Sequence, residues 1–506
     1  MKRFILSASA TLIALLCSIS CAKPLQGLDP KFPEIEGNEV NINPGELLSV
    51  KITLNDVRGN AIEAVAVSTN EAYGAKVTLA TDGESGKVEI QAPAYILDET
   101  SFDVNVTVTD KANARTSKTT LKVKPIKSSY RDITDPANCF VATPGELVKF
   151  PACKGCSTEK VKFDKLSLLW QDIPGLVADI VVLDGGTNLV AFKEGLEGNA
   201  VIAAKDAQGK VQWSWHFWVC NEKPKDVTAA GVTFMDRNIG TLTTDFSKPG
   251  FIGTVYQWGR KDAFAGVSET DGTLKPMYGE TKDNVVERTM ALVDKENMID
   301  DAIANPTTIY YQTSANYKTG NYSWISNNFS TLDVEAMNKM WNDNGKKTVA
   351  DPCPAGYMVA TVADWTAVKT AITDPVLLSD TSYKVPEDIS SKWAEKYVKQ
   401  YSRQVQFRGS RYGGLTLLVG AEISANSEKP SVNGHITSLQ PNATIWTSGM
   451  DPDYKAGCSY SNFRAVSVKS NSSWNSTAED ILLNNLNVSN KLNLGYELPV
   501  RCVKVK

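Results

Sequence analysis

The chain has 506 residues with 53 basic and 57 acidic side chains, too many residues for one hydrophobic core, so roughly three domains are expected. Lysines and carboxylates are interspersed, which leaves no basic stripe for nucleic acid. Abundant Thr, Val, Asn, Gly and Tyr, with few long helical periodicities, favour β structure.

Lys2 and Arg3 form a basic n-region, and residues 4–16 form an apolar h-region too short to span a bilayer as a mature helix. That is the layout of a secretion leader, read here as residues 1–20. It ends Ser18-Ile19-Ser20-Cys21, which resembles a lipobox although Ser18 stands where Leu is usual. Cys21 would then carry the lipid and open the mature chain, with residues 21–31 as its tether. Ordinary cleavage nearby is the alternative, and it leaves Cys21 a spare thiol. No later segment is apolar enough to cross a membrane as a helix, so a lipid would be the membrane anchor.

Residues 32–127 alternate with period two. Leu48, Val50, Ile52 and Leu54 interleave with polar neighbours, as do Phe102, Val104, Val106 and Val108, and turn clusters such as Asp82-Gly83 separate the runs. The pattern predicts an immunoglobulin-like β-sandwich without the Cys and Trp core marks of antibody domains. A second β module is expected over residues 128–225. Its last strand places Val211, Trp213, Trp215, Phe217 and Val219 on one face and Gln212, Ser214, His216, Trp218 and Cys220 on the other.

From residue 226 to 506 short helices mix with strands, an α+β pattern. Thr361 can cap a helix with Asp364 at its third position, lining Trp365, Val368 and Ile372 on one face. Another helix should end before Asn305-Pro306. Residues 313–329 and 423–442, rich in Ser, Asn, Gly and Tyr, read as long functional loops.

Catalytic motifs are sparse. His216 and His435 are the only histidines, so any triad, Cys-His dyad or His-rich metal site would have to rest on one of them. His216 reads as structural within its tryptophan-rich strand, and His435 as a loop residue able to touch a ligand. Carboxylates are plentiful, but their surroundings single out no pair. Cys153-Lys154-Gly155-Cys156 is a CxxC in a β-patterned segment, which suits a local bridge or two unlinked thiols better than redox or zinc chemistry. Neither a metal nor a cofactor is expected. Trp324 and Trp474, set among Asn and Ser with Tyr322 in support, read as exposed rings able to stack on a sugar or enter a protein groove, or else as packed loop anchors.

Five segments then stand out together: FMDRNIG (Phe234 to Gly240), VYQWGRKDAF (Val255 to Phe264), NPTTIYY (Asn305 to Tyr311), KTVADPCPAGYMV with TVADW behind it (Lys347 to Trp365) and ELPVRCVKVK (Glu497 to Lys506). Their order and spacing resemble the Fibrobacter succinogenes major paralogous domain of Bacteroidetes cell-envelope lipoproteins. Tyr357 and Ala360 depart from its usual Trp and Pro. The stretch from Asn138 to Val219 resembles the module that precedes this domain in fimbria-associated relatives.

These resemblances imply an envelope protein, expected as an outer-membrane lipoprotein, with a C-terminal domain of C-type-lectin-like character and no established catalysis. In that fold a disulfide often ties the last strand to an early element, and Cys353 and Cys502 stand where it could form. Cys139 with Cys220 is the companion pairing. Nine cysteines, with Cys17 in the leader and Cys21 lipidated, leave an odd remainder and hence at least one free thiol. Gln440-Pro441-Asn442 resembles the lectin tripeptide for calcium and sugar hydroxyls, but Trp341-Asn342-Asp343 stands in the wrong order for the second motif. The expected function is non-catalytic binding of a glycan or protein surface through C-terminal loops, in adhesion or a fimbria-associated role. Glycan capture for nutrient uptake and secreted hydrolysis are the alternatives.

Overall fold

Strict alternation over residues 39–125 produces strands with one buried and one wet face. The computed structural model describes residues 25–58, 61–183, 186–269, 272–312, 323–328, 333–372, 376–380, 406–418, 422–424, 431–433, 442–450, 463–469, 486–492 and 494–505. Residues up to 129 form one unit and residues from 130 onward another. In the first, β1 (Glu39–Ile42), β7 (Arg115–Pro125), β6 (Phe102–Asp110) and β3 (Ile62–Ser68) make one sheet in that order, and β2 (Leu47–Thr53), β5 (Ser85–Gln91) and β4 (Gly74–Leu79) the other. Val50, Ile52, Val104, Val106 and Val108 are buried between them, the immunoglobulin-like sandwich that the alternation predicts. Asp110, fully buried, closes one end by accepting from Arg115 Nη2 at 2.7 Å. An ion pair this buried fixes the chain path more than it adds net stability.

The second unit starts with another pair of sheets. One runs β12 (Val177–Leu183), β13 (Thr187–Phe192), β10 (Leu147–Phe150), β8 (Arg131–Asp132). The other runs β20 (Val285–Val286), β19 (Met277–Tyr278), β11 (Lys165–Gln171), β14 (Gly198–Lys205), β15 (Val211–Val219), β9 (Cys139–Ala142). Trp213, Trp215, Phe217 and Val219 of β15 face the space between the sheets. There Phe150 meets Trp215 and Phe217 edge-on at 5.4 and 5.1 Å, a geometry aromatic pairs favour.

The opposite face of β15 is not wet. Ser214, His216, Trp218 and Cys220 are as buried as their neighbours, because residues beyond 226 cover them. Trp218 and Cys220 share one core with Tyr256, Trp258, Trp324, Trp341 and Trp446. Lys261 Nζ donates to Ser214 Oγ at 2.6 Å and sits 4.6 Å from the Trp213 ring centre, and Ser214 Oγ donates to Asp262 at 2.8 Å. β19 and β20, from beyond residue 226, also complete the six-stranded sheet. The expected boundary at 225/226 therefore does not separate two cores.

The start and end of the 226–506 stretch lie side by side: β16 (Asp226–Ala229) pairs with β17 (Val232–Met235), which pairs with Cys502–Lys504 and through it with Tyr357–Val359. Cys353 and Cys502 are disulfide-bonded across a sequence separation of 149 residues, a constraint worth about 4 to 5 kcal/mol against the unfolded chain in the loop-entropy treatment. The helix Val362–Ala371 carries the expected Thr361–Asp364 capping box, and Trp365, fully buried, meets Phe234 at 4.8 Å. The helix Ile299–Ala304 ends at Asn305 as the proline predicts. Within 423–442, expected as loop, Glu422–Ser424 pairs with Ser431–Asn433. Mainly β structure is thus established, and no helix among the described residues is long and apolar enough to cross a membrane.

Candidate functional site

β14 and β15 pair so that Val201 faces His216 and Asn199 faces Trp218, which brings the Asn199 amide to the imidazole. Asn199 Nδ2 donates to Asp172 Oδ2 at 2.8 Å and to the Gly240 carbonyl at 3.0 Å. Both partners are acceptors, so the amide orientation is fixed and Oδ1 must face His216 Nε2, at 2.9 Å. Nε2 therefore carries the proton, and Nδ1 accepts from the Tyr256 hydroxyl at 3.2 Å. Burial pushes the His216 pKa down to about 3. The imidazole is neutral and sealed, a structural hub as the tryptophan-rich strand suggests.

Asp172 is the outer end of this chain of bonds. It follows β11, and its Oδ1 accepts from the Asn199 backbone N–H at 2.6 Å. A Cβ at Gly198 would overlap Oδ1, so only glycine lets the carboxylate seat here. Part of the residue faces solvent, yet the protein massed around its carboxyl raises the pKa above the usual range, against the pull of the two Asn199 bonds and of the Lys275 charge.

Asp172 opens onto a cleft of about 600 Å³ where residues 172–222 meet residues 242–275. Ile173, Leu242 and Pro249 supply apolar wall, and Glu197, Glu222, Glu269, Lys248 and Lys275 the other charges. Two further carboxylates hold loops in place. Glu269 Oε1 accepts from Gly250 N, Ile252 N and Lys275 Nζ at 3.2, 3.1 and 2.8 Å, and Glu197 Oε1 accepts from Asn221 N at 2.6 Å. Among the described residues, no aromatic ring lines the cleft. The arrangement offers fixed negative charge beside apolar surface, which suits binding.

Two expectations are corrected. Trp324 is not an exposed platform: it is 1% exposed, its Nε1 donates to the Trp258 carbonyl at 2.6 Å, and the Arg260 guanidinium lies 5.6 Å from its ring centre. The reason is a row of alternating carbonyls. Those of Tyr256, Trp258 and Arg260 each accept one indole N–H, from Trp446, Trp324 and Trp341 at 2.7, 2.6 and 3.1 Å. Cys139 and Cys220 do not pair; both are free and buried. The parallel register sets Cys139 opposite His216, so Cys220 lies four residues along, about 13 Å away at the rise of a strand and beyond disulfide reach. Burial raises both thiol pKa values, that of Cys220 to about 12. Cys153 and Cys156 are likewise free. Cys21, Tyr322, His435, Gln440, Trp474 and Cys458 lie outside the described residues, as does the side chain of Asn442.

Sequence reasoning passed over Asp172, Glu197, Glu222, Glu269 and Lys275, because carboxylates abound and nothing local marks these. The faint available signal was Asp172-Ile173-Pro174-Gly175, a turn that directly follows an apolar strand.

No family model matches the chain, and no curated protein matches it. Among solved structures, Titin-A168169 matches 38% of this chain and 98% of its own at 14% identity and a TM-score of 0.17. Mouse clustered PcdhgC3 EC1-3 matches 38% of this chain at 15% identity and a TM-score of 0.17, and this chain spans 66% of it. The D00-D0 domain of intimin matches 37% of this chain and 95% of its own at 13% identity and a TM-score of 0.15. At these scores the likeness carries no inference about function.

Proposed function

We propose that the chain is a lipid-anchored cell-envelope protein that binds its ligand without transforming it, in adhesion or a fimbria-associated role. The leader-like N-terminus ending at Cys21 supports the location. Start and end strands lying together, closed by the Cys353–Cys502 bond, support a C-terminal part of C-type-lectin-like character that presents loops outward. The observation that carries binding over catalysis is that His216 and three of the cleft carboxylates are committed to partners within the fold. His216 is sealed, Asp172 is held by Asn199, and Glu197 and Glu269 hold backbone amides. Groups fixed in this way make a shaped charge, whereas general acid–base work needs a proton donor or acceptor free to exchange with substrate. Glycan capture would need an exposed aromatic platform, and Trp324 does not provide one.

The test has two arms. Full-length protein should fractionate with membranes and Cys21→Ala should not. The chain without its leader, applied to panels of glycans and envelope or surface proteins, should retain a ligand that is recovered chemically intact. Turnover of any panel member would contradict the binding reading.

A further inference from the structure

Among the described residues Asp172 is a seated carboxylate with no cation at contact distance, and Lys275 is the lysine close enough to act on its charge. Neither lysine of the cleft lining forms an ion pair with Asp172: Lys275 spends its ammonium on Glu269 at 2.8 Å, and Lys248 faces Asp245 at 3.7 Å. Each Asp172 oxygen accepts one bond from Asn199 and keeps further acceptor capacity, and the residue lines the cleft. The seat is built from behind, by the clearance at Gly198 and by an Asn199 side chain that is itself buried and pinned by His216 and Gly240. Holding a carboxylate in dense protein without a cation at contact distance costs stability, and a cation arriving from outside to meet it directly would recover part of that cost.

We propose that this cleft receives a lysine or arginine side chain from an extended segment of a partner protein. The aliphatic stem lies along Ile173, Leu242 and Pro249, and the cationic head meets Asp172. A long basic side chain is the common ligand that pairs an apolar stem with a charged tip, and the cleft lining supplies both an apolar wall and a carboxylate. Glu197 and Glu222 add negative charge to the lining, which favours encounter with a basic segment. A neutral glycan finds no ring to stack on among the described lining residues. This inference rests on the binding reading and specifies its ligand.

The experiment uses the chain without its leader and a fluorescent, end-blocked peptide Gly-Gly-Lys-Gly-Gly, with analogues carrying arginine, norleucine or acetyl-lysine at the centre. The lysine and arginine peptides should bind at least about tenfold more tightly than the two uncharged ones, and added salt should reduce the difference. Asp172→Asn should abolish the preference for charge. Should that variant misfold, Glu222→Gln, at an exposed residue, should still lower affinity for the lysine peptide while leaving the norleucine peptide unchanged. Equal binding of norleucine and lysine peptides, or an Asp172→Asn protein that folds and keeps the full preference, would overturn the proposal. If every peptide fails while the chain still retains an intact panel ligand, the ligand class falls and the binding reading stands.

Discussion

His216 shows how one residue's neighbours set its chemistry. Its imidazole stays neutral to about pH 3 in the folded chain, whereas in the unfolded chain it takes a proton below about pH 6.5. Between those values the unfolded state binds more protons, so stability from this residue is present above the unfolded pKa and is lost as pH falls. The expected loss is about 2 kcal/mol between roughly pH 7 and pH 5. Asp172 and Glu497, both raised by burial, act in the opposite sense. The measurement is therefore the difference in urea stability across that range between wild type and His216→Gln, with the variant showing the shallower decline. Trp324→Ala should destabilise by about 3 to 5 kcal/mol, through the cavity and the carbonyl left without its indole, as read by denaturant unfolding. A loss of ligand binding with unchanged stability would instead return Trp324 to the surface.

At the scale of elements, alternation in β15 was legible in the sequence, and so were the capping box at Thr361 and the helix stop at Asn305. Each depends on residues a few positions apart. The burial of the polar-looking face of β15 was not legible, because it depends on Lys261, Asp262 and Tyr256, some forty residues on and brought back by the fold. Of the two readings of Trp324 the packed anchor is the one found: Asn and Ser neighbours suggest exposure, and the carbonyl row at 256–260 explains its burial. These contacts predict that a fragment from residue 226 to 506, lacking β9, β11, β14 and β15, will not fold cooperatively. A fragment from residue 130 to 506 should unfold in one calorimetric transition. Two separate transitions in the longer fragment would show that the modules do not depend on each other.

At the scale of the whole molecule, the second unit joins a sandwich to an α+β stretch through one sheet and one core, and the cleft lies where the two meet. The sequence announced the modules through their separate patterns, but a cleft built from both belongs to neither pattern. The lining residues therefore carried no signature of their own. The most direct test of the account is to fill the cleft from within. Ile173 is 38% exposed on the cleft wall beside Asp172, so Ile173→Arg introduces a tethered cation while leaving the core intact. The decisive measurement is retention of the panel ligand by wild type and by Ile173→Arg at matched melting temperature. The variant should fold normally and lose the ligand; full retention by the folded variant would contradict binding in the cleft.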